Sequence, residues 1–160
     1  MTYLGALFLL VSSFLIGKSY SAYLERGCSE LEGFLDFVKH IRSRVSVYAE
    51  PISGVRDRFY DERLVSCGFI DRLRESRSLR EAYEGVRDNL SIGDDAKEVL
   101  DGFFSSVGHA YIDSEVKNLD YTVESLTEIA KVRRSEIAGK RRALKASVYA
   151  LALGIAVLVI

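Results

Sequence analysis

The sequence predicts an all-α protein: a helical bundle domain between an N-terminal and a C-terminal transmembrane helix. Three observations carry that expectation. Every charged residue lies between Lys18 and Lys145, so 1–17 and 146–160 are bare of charge. A charged group costs about 2.5–3.5 kcal/mol at the centre of a bilayer helix, and segments free of charge are those a bilayer admits. Between them, apolar residues recur every three or four positions among charged ones, the period of an amphipathic helix. One proline in 160 residues leaves few points at which helices must break.

The first element is the apolar run 1–17. Seventeen residues of helix reach about 25 Å and the fifteen of 146–160 about 22 Å, against a hydrocarbon core of ~30 Å. Both spans draw on their flanks. Lys18 and Lys145 have stems long enough to snorkel, Ala143 and Leu144 extend the second run, and Tyr3, Tyr20, Tyr23 and Tyr149 suit the interface. A secretory signal peptide would carry a basic residue before its apolar stretch and a small-x-small site after it. Here no basic residue precedes the run and no clear cleavage site follows. In the second run Leu151, Leu153, Ile155, Val157, Leu158, Val159 and Ile160 cover all faces of a helix, which suits lipid better than a one-sided core.

Basic residues set the orientation. Lys18 and Arg26 follow the first run; Lys131, Arg133, Arg134, Lys140, Arg141, Arg142 and Lys145 precede the second. Positive flanks stay in the cytoplasm, which places the whole of 18–145 there and makes the protein a two-span membrane protein. The Lys140–Lys145 cluster reads as topogenic, with anionic lipid contact, and not as a nucleic-acid site. The formal net charge of −1 leaves no global field to draw a polyanion. Cys28 and Cys67 match no metal spacing and are expected reduced and half-buried in a cytoplasmic domain.

Within 18–145, Leu24, Cys28, Leu31, Leu35, Val38, Ile41 and Val45 mark one helical stripe that continues from the membrane run. Pro51 ends it and starts a short helix over 52–60, with Ile52, Val55 and Phe59 on one face. A segment over 64–73 follows, interrupted near Gly68. Ser78-Leu79-Arg80-Glu81 has capping-box spacing, and Leu79, Ala82, Tyr83, Val86 and Leu90 supply the next buried stripe. Asp94 and Asp95 are favourable charges at a helix N-terminus, ahead of Ala96, Val99, Leu100, Phe103, Phe104 and Val107. Gly108-His109 breaks that helix. The last begins near Asp113 or Ser114, shows Val116, Leu119, Val123, Leu126, Ile129, Ala130 and Ile137, and meets no proline before the second span.

Nothing in this pattern is catalytic. His40 and His109 stand about seventy residues apart and read as surface or capping histidines. Glu62, Glu75, Glu81 and Glu84 alternate with arginines as a solvated face does. No phosphate-binding loop, zinc-protease or nucleophile-elbow motif is present. The expectation is a non-enzymatic protein without cofactor, metal, small-molecule substrate or nucleic acid. Exposed arginines and aromatics around Arg56–Tyr60 are candidates for a partner surface.

The order and spacing of three segments resemble the stage III sporulation protein AB family over essentially the whole chain. They are Tyr48-Ala49-Glu50-Pro51-Ile52-Ser53-Gly54-Val55, Asp95-x-x-x-Val99-Leu100-x-x-Phe103 with Val107-Gly108, and Lys140-Arg141-Arg142-x-Leu144 before Ala152-Leu153-Gly154-Ile155. The chain departs from the family's Leu-Gly turn at Val107-Gly108, and from a frequent glutamine near Glu115–Lys117. The resemblance implies a role in endospore formation, within the channel complex between mother cell and forespore. It also implies a helical domain similar to those of platform proteins in type II secretion and type IV pilus machines. The expected partners are other channel proteins and a secretion-type ATPase, stage III sporulation protein AA, at the mother-cell-derived membrane around the forespore. A membrane-anchored signalling or regulatory protein is the alternative that the topology also fits.

Overall fold

The computed structural model describes residues 2–48, 58–108 and 112–159; within these, the side chains of 2–16, 47, 48, 112, 113, 141, 144, 145 and 147–159 lie outside that description. Two long helices frame it: α1, Thr2–Tyr48, and α6, Ile112–Val159. Among the described residues four shorter helices come between them: α2, Glu62–Ser66; α3, Phe69–Glu75; α4, Leu79–Glu84; and α5, Asp94–Ser106. A 3₁₀ turn at Arg87–Asn89 precedes α5. No strand occurs among the described residues, so the all-α expectation holds.

Local chemistry sets the boundaries as the sequence predicts. Gly68 separates α2 from α3 with a φ of 81°, a left-handed conformation that disfavours any Cβ. Ser78 caps α4 by accepting from the Glu81 amide at 3.1 Å. Glu81 in turn accepts from the Arg77 amide at 2.9 Å, one residue before the cap itself. Gly108, with φ 85°, ends the α5 turn. Helix α6 starts at Ile112, a residue or two before the expected Asp113 or Ser114. Pro51 and the helix expected over 52–60 fall outside the described residues, apart from 58–60.

The core forms where α1 crosses the four short helices. Leu31, Leu35, Val38, Ile41 and Val45 are buried as expected, while Leu24 and Cys28 are only half-buried. Phe34 and Phe37 are wholly buried and were absent from the predicted stripe. Phe34 lies 4.9 Å from the Phe69 ring and 6.0 Å from Tyr83; Phe37 lies 5.0 Å from Phe59 and 5.3 Å from Phe69. Tyr83 stacks on Phe104 at 4.4 Å. Edge-to-face and offset rings of this kind add about 0.5–1.5 kcal/mol per pair beyond area burial. The buried face is wider than a single stripe because α1 is covered on two sides, by α6 and by α2 to α5.

Among the described side chains, the buried positions of α1 begin at Gly27 and those of α6 end at Ala130. Each long helix therefore runs on past the core by ~35–45 Å at 1.5 Å per residue. Among the described residues no helix is long and apolar enough to cross a membrane. The side chains of the two expected spans, 1–17 and 146–160, lie almost entirely outside those residues.

Candidate functional site

Polar contacts gather where the two long helices leave the core. Three contacts define how they run together. Arg42 pairs with Asp120 farthest from the chain ends, Arg134 bonds Glu32 at 2.6 Å midway, and the Lys140 ammonium lies 5.1 Å over the Tyr20 ring nearest them. As the number falls along α1 it rises along α6, so the helices are antiparallel. Both uncharged segments consequently extend from the same side of the domain.

Close backbone approach seals this junction. A Cβ on Gly27 would stand 2.2 Å from the Ser91 carbonyl oxygen, so only glycine lets the 91–93 loop lie against α1. One turn on, Glu30 is 1% exposed. Its carboxylate accepts from the Ser91 amide at 2.7 Å and from Arg26 Nε at 2.9 Å. A buried carboxylate with a backbone donor and a guanidinium has the partners that make its burial tolerable. Arg133 from α6 reaches Asp95 in the first turn of α5 at 2.8 Å, tying the third element to the same point. Asp95 thus serves two purposes, favouring the N-terminus of its own helix and holding α6.

A second polar hub sits beside the first. Arg63 of α2 bonds Asp36 at 2.6 Å, reaches Glu32 at 3.6 Å and clamps Asp61, while Glu32 also takes Arg134. The hydrogen bond from the Arg63 guanidinium holds the Asp61 carboxyl below the usual carboxylate range, and the same pairing keeps Arg63 firmly protonated. At the opposite end of α5, Arg87 grips Asp101 through two nitrogens at 2.7 Å each and lowers its pKa. Arg87–Asp101 is a bidentate pair, whereas Arg63 is bidentate only toward nearby Asp61 and reaches the distant Asp36 and Glu32 of α1 through one nitrogen each.

Between the foot of the domain and the two long helices lies a groove of about 250 Å³. Tyr20, Tyr23, Leu24 and Ile137 line it together with Lys97, Arg133, Asp94 and Glu136. Cys28 opens onto it. Burial, followed by the neighbouring Glu32, pushes the Cys28 thiol up, so the sulfur is a neutral thiol at physiological pH and a poor nucleophile. Cys67, also half-buried, donates to the Leu64 carbonyl and is raised by burial too. Burial, with Asp101 nearby, holds the Tyr83 hydroxyl well above the phenol range.

The residues singled out from sequence do not converge. His40 lies half-buried with its ring 5.4 Å from Phe59, mid-helix, and is neither a cap nor a surface histidine; His109 is outside the described residues. Glu62, Glu75, Glu81 and Glu84 are exposed as expected. Of the suggested partner region, Arg56 is outside the described residues, Arg58 is exposed, Phe59 packs on Phe37, and Tyr60 is 63% exposed. Among the described residues no three His, Cys, Asp or Glu side chains gather as metal ligands. Sequence reading missed Glu30 and the groove. Arg26 and Glu30 resemble an ordinary surface pair four residues apart, and nothing local signals Ser91, sixty-one residues on.

Compared with known protein families, residues 2–160 match the model described as Stage III sporulation protein AB. Neither the curated proteins nor the solved structures provide a match to this chain.

Proposed function

This chain belongs to the stage III sporulation protein AB family, and on that footing we propose that it is a membrane platform of the mother cell–forespore channel complex. Segments 1–17 and 146–160 are its two spans, and 18–145 is its cytoplasmic domain. Family membership implies a role in spore formation. The platform role, the channel and the docked secretion-type ATPase, stage III sporulation protein AA, are our extension of it.

The observation that carries the reading is the antiparallel pairing of α1 and α6. It sends both uncharged segments out on one side of the domain, as two spans entering a single bilayer must go. The basic residues Lys18, Lys131, Lys140 and Arg142 lie on the domain side of those segments, the side that stays in the cytoplasm. The chemistry also favours a scaffold. At the junction and in the hub beside it, Glu30, Glu32, Asp61 and Asp95 are bound to arginines, Glu30 to a backbone amide as well, and both thiols are neutral.

The test is protease protection on membranes from sporulating cells, combined with affinity purification of the full chain. The expected result is cleavage of 18–145 from the cytoplasmic face and recovery of the ATPase with it. Protection of the domain would overturn the topology. A cytoplasmic domain that never retains an ATPase would favour the signalling alternative over the platform.

A further inference from the structure

We propose that the outward face of the α5–α6 hairpin is the docking surface for a basic amphipathic helix of a partner protein. The proposal names the surface and the chemistry of the partner that the platform reading requires, and it rests on that reading for the partner's existence.

Charge supplies the first argument, because it is sorted along the molecule. Segments 18–26 and 131–145 hold nine basic and two acidic residues, whereas 27–130 holds 13 basic and 21 acidic ones, a net charge of −8. The domain thus presents a negative field to its surroundings. On α5 and α6 the sorting is sharper. The exposed charged residues of α5 are Asp94, Asp95 and Glu98, and those of α6 between Lys117 and Lys131 are Asp120, Glu124 and Glu128. Asp95 is engaged by Arg133, Asp120 by Arg42 and Glu128 by Lys131 at 3.7 Å. Among the described residues no ion pair engages Asp94, Glu98 or Glu124.

Shape supplies the second. Helices α5 and α6 run antiparallel, with Arg133 on Asp95 at one end and the Asn118 side chain donating to Ser106 at 2.7 Å at the other. That register sets Gly102 level with the turn that holds Tyr121 and Ser125, and Glu98 level with Glu128. The far sides are buried, through Leu100 and Phe103 on α5 and Leu119 and Leu126 on α6. Facing outward, a Cβ on Gly102 would meet nothing within 4 Å. Tyr121 and Val132, 66% and 47% exposed, share one face of α6 with Ser125 and Glu128. They stand about 16 Å apart along the helix, two apolar contact points within an acidic border.

The same charges choose among occupants. A negative domain disfavours an anionic bilayer surface. A second copy anchored in the same bilayer stands parallel to the first and brings Glu124 and Glu128 against their own counterparts. A helix with apolar residues along one side and lysines or arginines beside them satisfies the whole face. An apolar side chain lies over Gly102, one cation lies on the Tyr121 ring, and others meet Glu98 and Glu124.

The test places a photocrosslinker in the full chain, as Tyr121→p-benzoylphenylalanine, in sporulating cells. Membranes are irradiated and the crosslinked peptide is sequenced by mass spectrometry. The expected product joins position 121 to a segment of another protein that is helical in period and rich in Lys and Arg. Glu98→Lys combined with Glu124→Lys is expected to lower its yield about tenfold. Gly102→Trp, which fills the open space, is expected to abolish it, with circular dichroism of the purified chain confirming unchanged helix content.

A crosslink to a second copy of this chain, or to lipid alone, would overturn the proposal. So would a partner segment without basic residues, or a yield that charge reversal leaves unchanged. Absence of any product at 121 would overturn it as well. If the full chain still retains the ATPase in that case, the platform reading stands and only the docking surface is lost; if it does not, both fall.

Discussion

The domain core and the stalk below it are built from the same two helices by different forces. In the core, α1 buries Phe34, Phe37, Leu31 and Ile41 almost completely against four other helices. In the stalk the same helix meets α6 through contacts such as Lys140 over Tyr20, with both side chains in water. Buried aromatic area stabilises by kcal/mol per residue, whereas exposed ion pairs contribute about 0–1 kcal/mol. The difference teaches that the domain holds itself together, and that the stalk takes its alignment from the core at one end. In the proposed topology the bilayer holds it at the other.

The strongest way to break this contrast is to weaken the core. Phe34→Ala removes a fully buried ring in contact with Phe69, Tyr83 and Phe104, and should cost ~3–5 kcal/mol. Urea unfolding of the full chain in detergent, followed by circular dichroism, reads this as a large drop in midpoint. A loss below ~1 kcal/mol would mean that the aromatic cluster does not hold the domain.

The junction should rank second. Gly27→Ala pushes a Cβ into the Ser91 carbonyl and must lift the loop, costing roughly 1–3 kcal/mol against at most ~1 kcal/mol gained in helix propensity. Glu30→Ala leaves the Ser91 amide without its acceptor and Arg26 without its partner, also worth about 1–3 kcal/mol. Because both act on one contact, the double variant should cost less than the sum of the two. Strict additivity in the same unfolding assay would show that Gly27 and Glu30 hold the loop independently.

These two classes of residue differed in how readily the sequence disclosed them. The Ser78 cap, the Gly68 and Gly108 breaks and the burial of Leu79, Ala82 and Tyr83 were legible because each depends on its near neighbours. Phe34 and Phe37 were not, because a single three-or-four stripe does not reveal that a helix is covered on two sides. The junction was least legible. Glu30 looks solvated until Ser91 is brought to it, and the groove draws on α1, α6 and the 91–97 segment at once. The charge-free ends are plain from the order of the residues, which with the basic flanks sets the expected topology.

The smallest effects concern paired charges near the surface, and they sharpen the comparison by their weakness. Asp61 and Asp101 have folded-state pKa values lowered by Arg63 and Arg87. Their contribution to stability is fully present above the unfolded carboxylate value near 3.8 and is lost as pH falls through the lower folded value. Unfolding midpoints measured between about pH 5 and pH 2 should decline, and Asp61→Asn should flatten that decline. An unchanged slope in the variant would mean that Asp61 is not held by Arg63 in solution.

On the stalk, Lys140→Ala should change stability by less than ~0.5 kcal/mol, since the ammonium and the Tyr20 ring are both exposed. Its consequence belongs elsewhere. If the stalk is aligned by the core and the bilayer, the distance between spin labels at Tyr23 and Ile137 in nanodiscs should be unaltered by the substitution. A broadened distance distribution would show that the cation over Tyr20 sets the stalk's alignment, and that the lower helices are held by polar contacts of their own.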